Sequence, residues 1–287
     1  MFLHPSIVRM IPFLAEYEGK YREMYLDVNG DVTTGVGFLL GSENATTKYK
    51  WEKISSSGEE AGSIKEAAKD EWKKLRSLRN NPTIKVEYLK GQAWSFIRFG
   101  RKLDVNWKGK KQKLITLKLA IGEIERSMPI LAEEHVRDLI VSSNEYFNDF
   151  YSFPADAQLG IITVIWANGP MYLHKPKRNG KDGFPTFCRL CMERSWGDIA
   201  DKKEYRWKAM PRGRGRDLAL YRLFKNAANL DAAKNAGINV NINILHYPLE
   251  VENLAEAHNR ISKISMKEKE QSFDPFKRLK DIHINLK

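Results

Sequence analysis

Residues 18–39 read Glu18-Gly-Lys-Tyr-Arg-Glu-Met-Tyr-Leu-Asp27-Val-Asn-Gly30-Asp-Val-Thr33-Thr-Gly-Val-Gly-Phe-Leu39. Alternating segments on both sides of Asp27-Val-Asn-Gly30 predict a β-hairpin. Asp at the first position and Gly at the fourth are typical of a type I turn. A two-residue Asn29-Gly30 loop is the alternative, and it would turn Asp27 and Thr33 to opposite faces of the ribbon. Only the four-residue turn lets Asp27 and Thr33 act together.

The segment before the hairpin has helical periodicity. Apolar residues recur from Ile7 to Tyr17 at the spacing of one helix face. Pro12 lies inside this segment, and proline costs about 3 kcal/mol in a helix interior, so we expect a kink or a restart there. Gly19 is well placed to end the helix in a left-handed conformation. Glu18 therefore lies at a helix end, next to the hairpin.

Composition and charge exclude several classes of protein. The 287 residues are 42% hydrophobic and 29% charged, which is typical of a globular chain. No apolar run approaches the roughly 18 residues of a membrane-spanning helix, so we expect no membrane span. Two cysteines exclude a disulfide scaffold, and we interpret Cys188 and Cys191 as small buried hydrophobes of one helix. The net charge of +12 predicts attraction to a polyanion.

The remaining chain divides into segments by composition. We expect an N-terminal helix and hairpin lobe at 1–43, an inserted subdomain of unknown function at 44–128, a helical lobe at 129–227 and a C-terminal accessory segment at 228–287. Two elements are predicted in the insertion, namely a helix from Ile64 to about Leu78 and a basic turn at Lys108–Lys113. In the helical lobe, helices are predicted at about 130–142, 156–168, 185–195 and 215–227.

Glu18, Asp27 and Thr33 suit the hydrolysis of a glycosidic bond. That reaction needs a carboxylic acid to protonate the leaving oxygen and a carboxylate on the opposite face of the sugar. A helix end beside a hairpin can hold two carboxyl groups across a sugar ring. In this interpretation Glu18 is the acid, Asp27 is the carboxylate and the Thr33 hydroxyl orients a water molecule.

These residues resemble the active-site segment of phage-type lysozymes, the family 24-like muramidases. The shared pattern is a Glu, eight residues, an Asp, five residues and a Thr, and this chain has that spacing without a gap. The resemblance continues in 155–169, 183–200 and 207–216, and it covers roughly 7–40 and 129–225. Two positions depart from the pattern: Phe38 stands where a His is common, and Asn168 is displaced by one residue from the usual Asn-x-Gly.

The resemblance implies a lysozyme-like α+β fold, mainly helical, in which a small β-hairpin lobe and a helical lobe flank a cleft. The implied activity is cleavage of the β-1,4 bond between N-acetylmuramic acid and N-acetylglucosamine with inversion, without a metal or cofactor. Glu18 would be the general acid, with Asp27 and Thr33 placing the water. The implied sugar contacts are Leu39, Trp166 and Phe187. An arginine near Glu18 is also implied, and the candidates are Arg212, Arg214 and Arg216.

The implied partner is peptidoglycan, with an immunity or inhibitor protein and a delivery machinery as further partners of a bacteriolytic effector or endolysin. The first ten residues lack a charged leader before an apolar run, so we expect synthesis in the cytoplasm without a signal peptide and action on the periplasmic or extracellular side. Three alternatives stay open: a chitin-like substrate, a non-catalytic module that binds peptidoglycan or another polyanion, and nucleic-acid binding, which no motif supports. A calcium loop at Asp27–Phe38 would lack its sixth-position Gly and twelfth-position acid.

Overall fold

The computed structural model describes residues 2–27, 29–54, 63–79, 93–143, 146–169, 184–201 and 214–251. These residues form an α+β structure that is mainly helical and carries small antiparallel sheets, which confirms the predicted class at this level. No helix of the described ranges is both long and apolar enough to cross a lipid bilayer.

The helices follow the chain in order. They are α1 (Pro5–Ala15), α2 (Ile64–Ser77), α3 (Ala93–Lys102), α4 (Glu123–Ser142), α5 (Ala155–Asn168), α6 (Pro185–Met192), α7 (Trp196–Asp201) and α8 (Arg214–Asn235). The strands are β1 (Tyr21–Leu26), β2 (Val32–Gly35), β3 (Phe38–Leu39), β4 (Trp51–Lys53), β5 (Asp104–Trp107), β6 (Lys110–Lys113) and β7 (Leu117–Leu119). Within the described ranges these strands form three antiparallel sheets, with strand orders β1-β2-β3, β4-β7 and β5-β6.

The chain divides into two compact units. We call 8–141 with 162–170 the hairpin unit, and 1–7 with 142–161 and 171–287 the helical unit. The hairpin unit therefore contains both the predicted catalytic hairpin and the whole of the predicted insertion at 44–128. Within it, α2, α3 and β7 all pack against β1. A three-stranded sheet needs a covered apolar face to be stable, and the insertion supplies that cover.

The helical unit has an aromatic core. Phe153 and Phe224 both contact Trp196, with ring centroids 5.1 and 6.3 Å away. Gly160 of α5 faces Phe224 so closely that an added Cβ would lie 2.8 Å from the ring, so only glycine lets the two helices approach this far. Cys188 and Cys191 are buried thiols, as predicted, and burial raises the pKa of Cys188 to about 12.

Most predicted elements are present with shifted ends. Helix α1 continues through Pro12 rather than restarting, because a proline removes only one backbone hydrogen bond of the helix. The basic turn is a hairpin between β5 and β6, with Lys108 and Gly109 at positive φ. Helix α8 extends to Asn235, beyond the predicted end. The Ser- and Gly-containing segment at 55–62 and the lysine-rich segment at 170–183 lie outside the described residues.

Residues 242–251 form a strap that is held by buried polar groups of the helical unit. The fully buried carboxylate of Asp156 accepts hydrogen bonds from the backbone N–H groups of His246 and Tyr247, both at 3.0 Å. It also accepts a bond of 2.9 Å from the side-chain amide of Asn226, which in turn donates to the Leu249 carbonyl. The first part of the predicted accessory segment is therefore an integral part of this unit.

Candidate active site on the hairpin

The hairpin closes through the four-residue turn that the sequence predicted. The Gly30 N–H donates to the Asp27 carbonyl at 2.9 Å, and the Asp27 N–H donates to the Asp31 carbonyl at 2.8 Å. Gly30 has a φ of +74°, which a glycine adopts without strain. The two-residue loop is therefore not formed, and Asp27 lies opposite Asp31.

The Asp27 side chain is tied to its own turn. Its Oδ1 atom accepts hydrogen bonds from the backbone N–H groups of Asn29, at 2.8 Å, and Asp31, at 2.9 Å. No described residue donates a hydrogen bond to Oδ2. The carboxylate is half-buried, and the two hydrogen bonds to Oδ1 fix its direction.

The strand register brings Thr33 to the same face of the ribbon as Asp27. Thr33 lies directly opposite Tyr25, and Tyr25 precedes Asp27 by two residues, which is the period of a strand face. The Thr33 hydroxyl donates to the Asp31 carbonyl at 3.2 Å, so its lone pairs face away from that carbonyl. Thr33 is 4% exposed, which makes it a largely enclosed group at the base of the turn.

Glu18 lies in the 3-10 turn Glu16–Glu18 that follows α1, and its side chain is exposed. Gly19 has a φ of +84° and ends the helical segment, as predicted. The Tyr21 ring lies 3.1 Å from the position that a Cβ on Gly19 would take. The chain therefore passes from the Glu18 turn into β1 through a left-handed glycine that leaves room for one aromatic ring.

Two of the three predicted sugar contacts belong to the hairpin unit. Leu39 is 62% exposed on β3. Trp166 is partly exposed and its indole N–H donates to the Val36 carbonyl at 2.8 Å, which ties α5 to the turn between β2 and β3. The ring centroid of Phe38 lies 6.0 Å from that of Trp166, and Phe38 is buried. The position at which phage-type lysozymes often have a His is therefore an apolar core residue in this chain.

Phe187, the third predicted sugar contact, is fully buried in the helical unit and packs against Phe224. Its ring has no accessible surface for a sugar, because the helix face that carries it forms the core. We therefore leave Phe187 out of the proposed site.

Of the three candidate arginines, Arg216 is buried in the first turn of α8. Arg212 and the side chain of Arg214 lie outside the description. Within the described ranges no group of three or more His, Cys, Asp or Glu side chains is arranged to hold a metal ion.

Sequence reasoning missed two titratable groups, one beside Trp166 and one beside Phe38. His135 of α4 lies 5.3 Å from the Trp166 ring, and burial lowers the pKa of its imidazole. Tyr49 stacks on Phe38, and its burial, together with the carboxylates of Glu134 and Glu123, raises the pKa of the phenol to about 12. Neither residue belongs to a recognisable motif, so no sequence signal marked them.

It also missed Arg76 and Arg79 of α2, whose guanidinium groups lie on the Asp31 carboxylate at 2.7 and 3.5 Å. The helical stripe of α2 was predicted, but its partner in the hairpin was not.

Comparison with protein-family models, curated proteins and solved structures finds no match to this chain. The assignment of function therefore depends on the hairpin itself.

Proposed function

We propose that the chain is a peptidoglycan hydrolase that cleaves the β-1,4 bond between N-acetylmuramic acid and N-acetylglucosamine, acting on the periplasmic or extracellular side of the cell. The observation that carries the proposal is the four-residue turn closed by the hydrogen bond between Asp27 and Gly30, which leaves Asp27 and Thr33 on one face of a hairpin that begins just after Glu18. The lysozyme-like arrangement of two lobes is part of the same proposal.

The chemistry follows from what each group can accept or donate. Glu18 would protonate the leaving glycosidic oxygen. A water molecule would donate one proton to Asp27 Oδ2 and the other to Thr33 Oγ1, whose own proton is directed to the Asp31 carbonyl. A lone pair of this water would then point at the anomeric carbon. Asp27 would take the water's proton as the bond from the water oxygen to the anomeric carbon forms. Attack from the face opposite the leaving group inverts the configuration, so the first product would be the α-anomer.

The test compares lysis of purified cell walls by the wild-type chain and by Glu18→Gln. Loss of a general acid costs about 100-fold or more in rate, so turbidity should fall at least 100 times more slowly. Glu125→Gln is the matched control, because Glu125 is an exposed carboxylate of the same unit and pairs with Lys20 at 3.4 Å. Activity that survives in Glu18→Gln would contradict the role of Glu18.

Product analysis separates the reaction types. Mass spectrometry of the released muropeptides should show reducing ends, whereas a transglycosylase would leave anhydro ends that are one water lighter. Proton NMR of early product should show the α-anomer, and a β-anomer would contradict direct attack by water. Hydrolysis of chitin at a comparable rate would favour the chitin-like substrate instead.

A non-catalytic wall-binding module is the second candidate, favoured by the net charge of +12 and by the lysine-rich hairpin of β5 and β6. The lysine side chains Lys108, Lys111 and Lys113 are all more than half exposed. Sedimentation with insoluble walls across salt concentrations measures this binding. Wild-type chain that binds walls but releases no reducing ends would favour the module.

A further inference from the structure

We infer that α2 positions the proposed catalytic pair through the residue that directly follows the turn. Arg76 is the main positioning residue, Arg79 is its support and Asp31 is the point of contact. The inference rests on the proposed function, because it names the groups that set the direction of Asp27 and Thr33. It also assigns a role to part of the 44–128 segment, which the lysozyme resemblance does not cover.

The backbone of Asp31 is bonded to both members of the pair. Its N–H donates to Asp27 Oδ1 at 2.9 Å, and its carbonyl accepts the Thr33 hydroxyl at 3.2 Å. The same carbonyl accepts the Asp27 N–H at 2.8 Å. A rotation of the Asp31 peptide units would therefore redirect the Asp27 carboxylate and the Thr33 hydroxyl together.

The Asp31 side chain connects this backbone to α2. Arg76 Nη1 binds Asp31 Oδ1 at 2.7 Å and also lies 3.4 Å from the Gly30 carbonyl, so it contacts the turn at two points. Arg79 Nη1 lies 3.5 Å from the same oxygen. The Cγ atom of Arg79 is 2.7 Å from the position of a Cβ on Gly30, so the absence of a side chain at Gly30 lets Arg79 pass close to the turn.

Helix α2 is itself fixed within the hairpin unit. The indole N–H of Trp72 donates to the Leu40 carbonyl, just after β3, at 2.7 Å. The buried Glu71 accepts hydrogen bonds from the backbone N–H groups of Thr116 and Leu117 at 2.8 and 3.1 Å. Because the helix is held at these independent points, its arginines provide a fixed reference for the turn.

The ion pairs of Arg76 and Arg79 with Asp31 should affect kcat far more than they affect the stability of the fold. The side chains of Asp31, Arg76 and Arg79 are 35, 38 and 40% exposed, so solvent screens their attraction and the ion pairs add little to folding. A displacement of about 1 Å in a catalytic group can nevertheless lower a rate by about 100-fold. Loss of the arginines should therefore lower kcat by about 10- to 100-fold while KM and Tm change little.

The test removes the ion pairs between α2 and Asp31 in two different ways. Arg76→Ala combined with Arg79→Ala removes both cations, and Asp31→Asn removes the charge they bind while keeping the backbone. The matched control is Lys69→Ala combined with Lys73→Ala, which removes the same charge from α2 at residues that pair with Glu66 and Glu43 instead of the turn. We expect both test variants to lose kcat and the control to keep it.

Combination of the two routes is the decisive measurement. If Asp31 and the arginines act as one contact, the triple variant should be no slower than the slower of the two parents. Losses of kcat that multiply would overturn the inference. So would an equal loss of kcat in the lysine control, or a loss confined to KM.

Hydrogen exchange of the 26–35 segment tests the contact without reference to activity. The backbone amide of residue 31 should exchange faster in Asp31→Asn and in the double variant Arg76→Ala, Arg79→Ala. Unchanged exchange at this amide would overturn the inference. If the wild-type chain does not hydrolyse peptidoglycan, the proposed function fails while the exchange data still decide whether α2 holds the turn. Faster exchange with unchanged kcat would leave the contact without a role in positioning and would overturn the inference as well.

Discussion

Glu71→Gln should change how the stability of the chain depends on pH. Glu71 is 1% exposed, and its Oε2 atom accepts three hydrogen bonds from the Thr116 N–H, the Thr116 hydroxyl and the Leu117 N–H at 2.8–3.1 Å. Its Oε1 atom is buried and has no hydrogen-bond partner among the described residues. Burial raises the pKa of this carboxyl from 4.5 to about 7.

Proton binding at Glu71 sets the direction in which the free energy of unfolding changes with pH. Between pH 4.5 and 7 the folded chain holds a proton at Glu71 that the unfolded chain has lost, so the free energy of unfolding falls as pH rises through this range. One pKa unit corresponds to about 1.4 kcal/mol, and the shift to about 7 therefore corresponds to about 3 kcal/mol. Glutamine does not titrate and resembles the protonated acid. Relative to wild type, Glu71→Gln should gain about 3 kcal/mol in stability between pH 4.5 and pH 8.

Urea unfolding at pH 4.5, 6 and 8 measures this difference, with tryptophan fluorescence as the probe. Glu66→Gln is the control, since Glu66 lies on the same helix but its side chain is 68% exposed. We expect the control to follow the wild-type pH profile and Glu71→Gln to diverge from it. Parallel profiles for wild type and Glu71→Gln would refute the argument, because they would show that the buried carboxyl does not retain its proton.

Three further predictions concern other parts of the chain. Asp156→Ala should lower the free energy of unfolding by about 3–5 kcal/mol in urea, because two backbone N–H groups and one amide lose their acceptor; a loss below about 1 kcal/mol would contradict it. Gly35→Ala should lower Tm, since the residue has a φ of +60° and the Phe38 ring lies 2.6 Å from an added Cβ, and an unchanged Tm would show that the turn relaxes freely. Cys188 and Cys191 should react with thiol reagents only after unfolding, and modification of the native chain at the rate of a free thiol would contradict their burial.

The hairpin could be predicted because its geometry depends on neighbouring residues. The order Asp27-Val-Asn-Gly30 matches the backbone conformations of a type I turn, and the alternation on each side sets the faces of the two strands. The relation of Asp27 to Thr33 follows from these local rules. The same holds for the end of the first helical segment, since only Gly19 there adopts a positive φ without strain.

Burial could be predicted only where a whole face was apolar. The apolar stretch from Leu159 to Ala167 predicts a buried core segment, and the structure buries it through Ile165 but leaves Ala167 exposed. Phe187 shows the limit of such reasoning, because an aromatic residue in a helix can face either a ligand or the core. Its packing against Phe224, a residue 37 positions away, could not be inferred from spacing.

The sequence alone determined the hairpin and most of the helical segments of this chain, since each depends on residues within a few positions of one another. It left the choice between the four-residue turn and the two-residue loop to the structure. The tertiary structure decided which distant side chains meet. Arg76 reaches Asp31 across 45 residues, and Glu71 reaches Thr116 across the same separation. No local pattern encodes such contacts, because they form only when the sheet and α2 pack together and bring charged groups from separate segments into hydrogen-bonding distance.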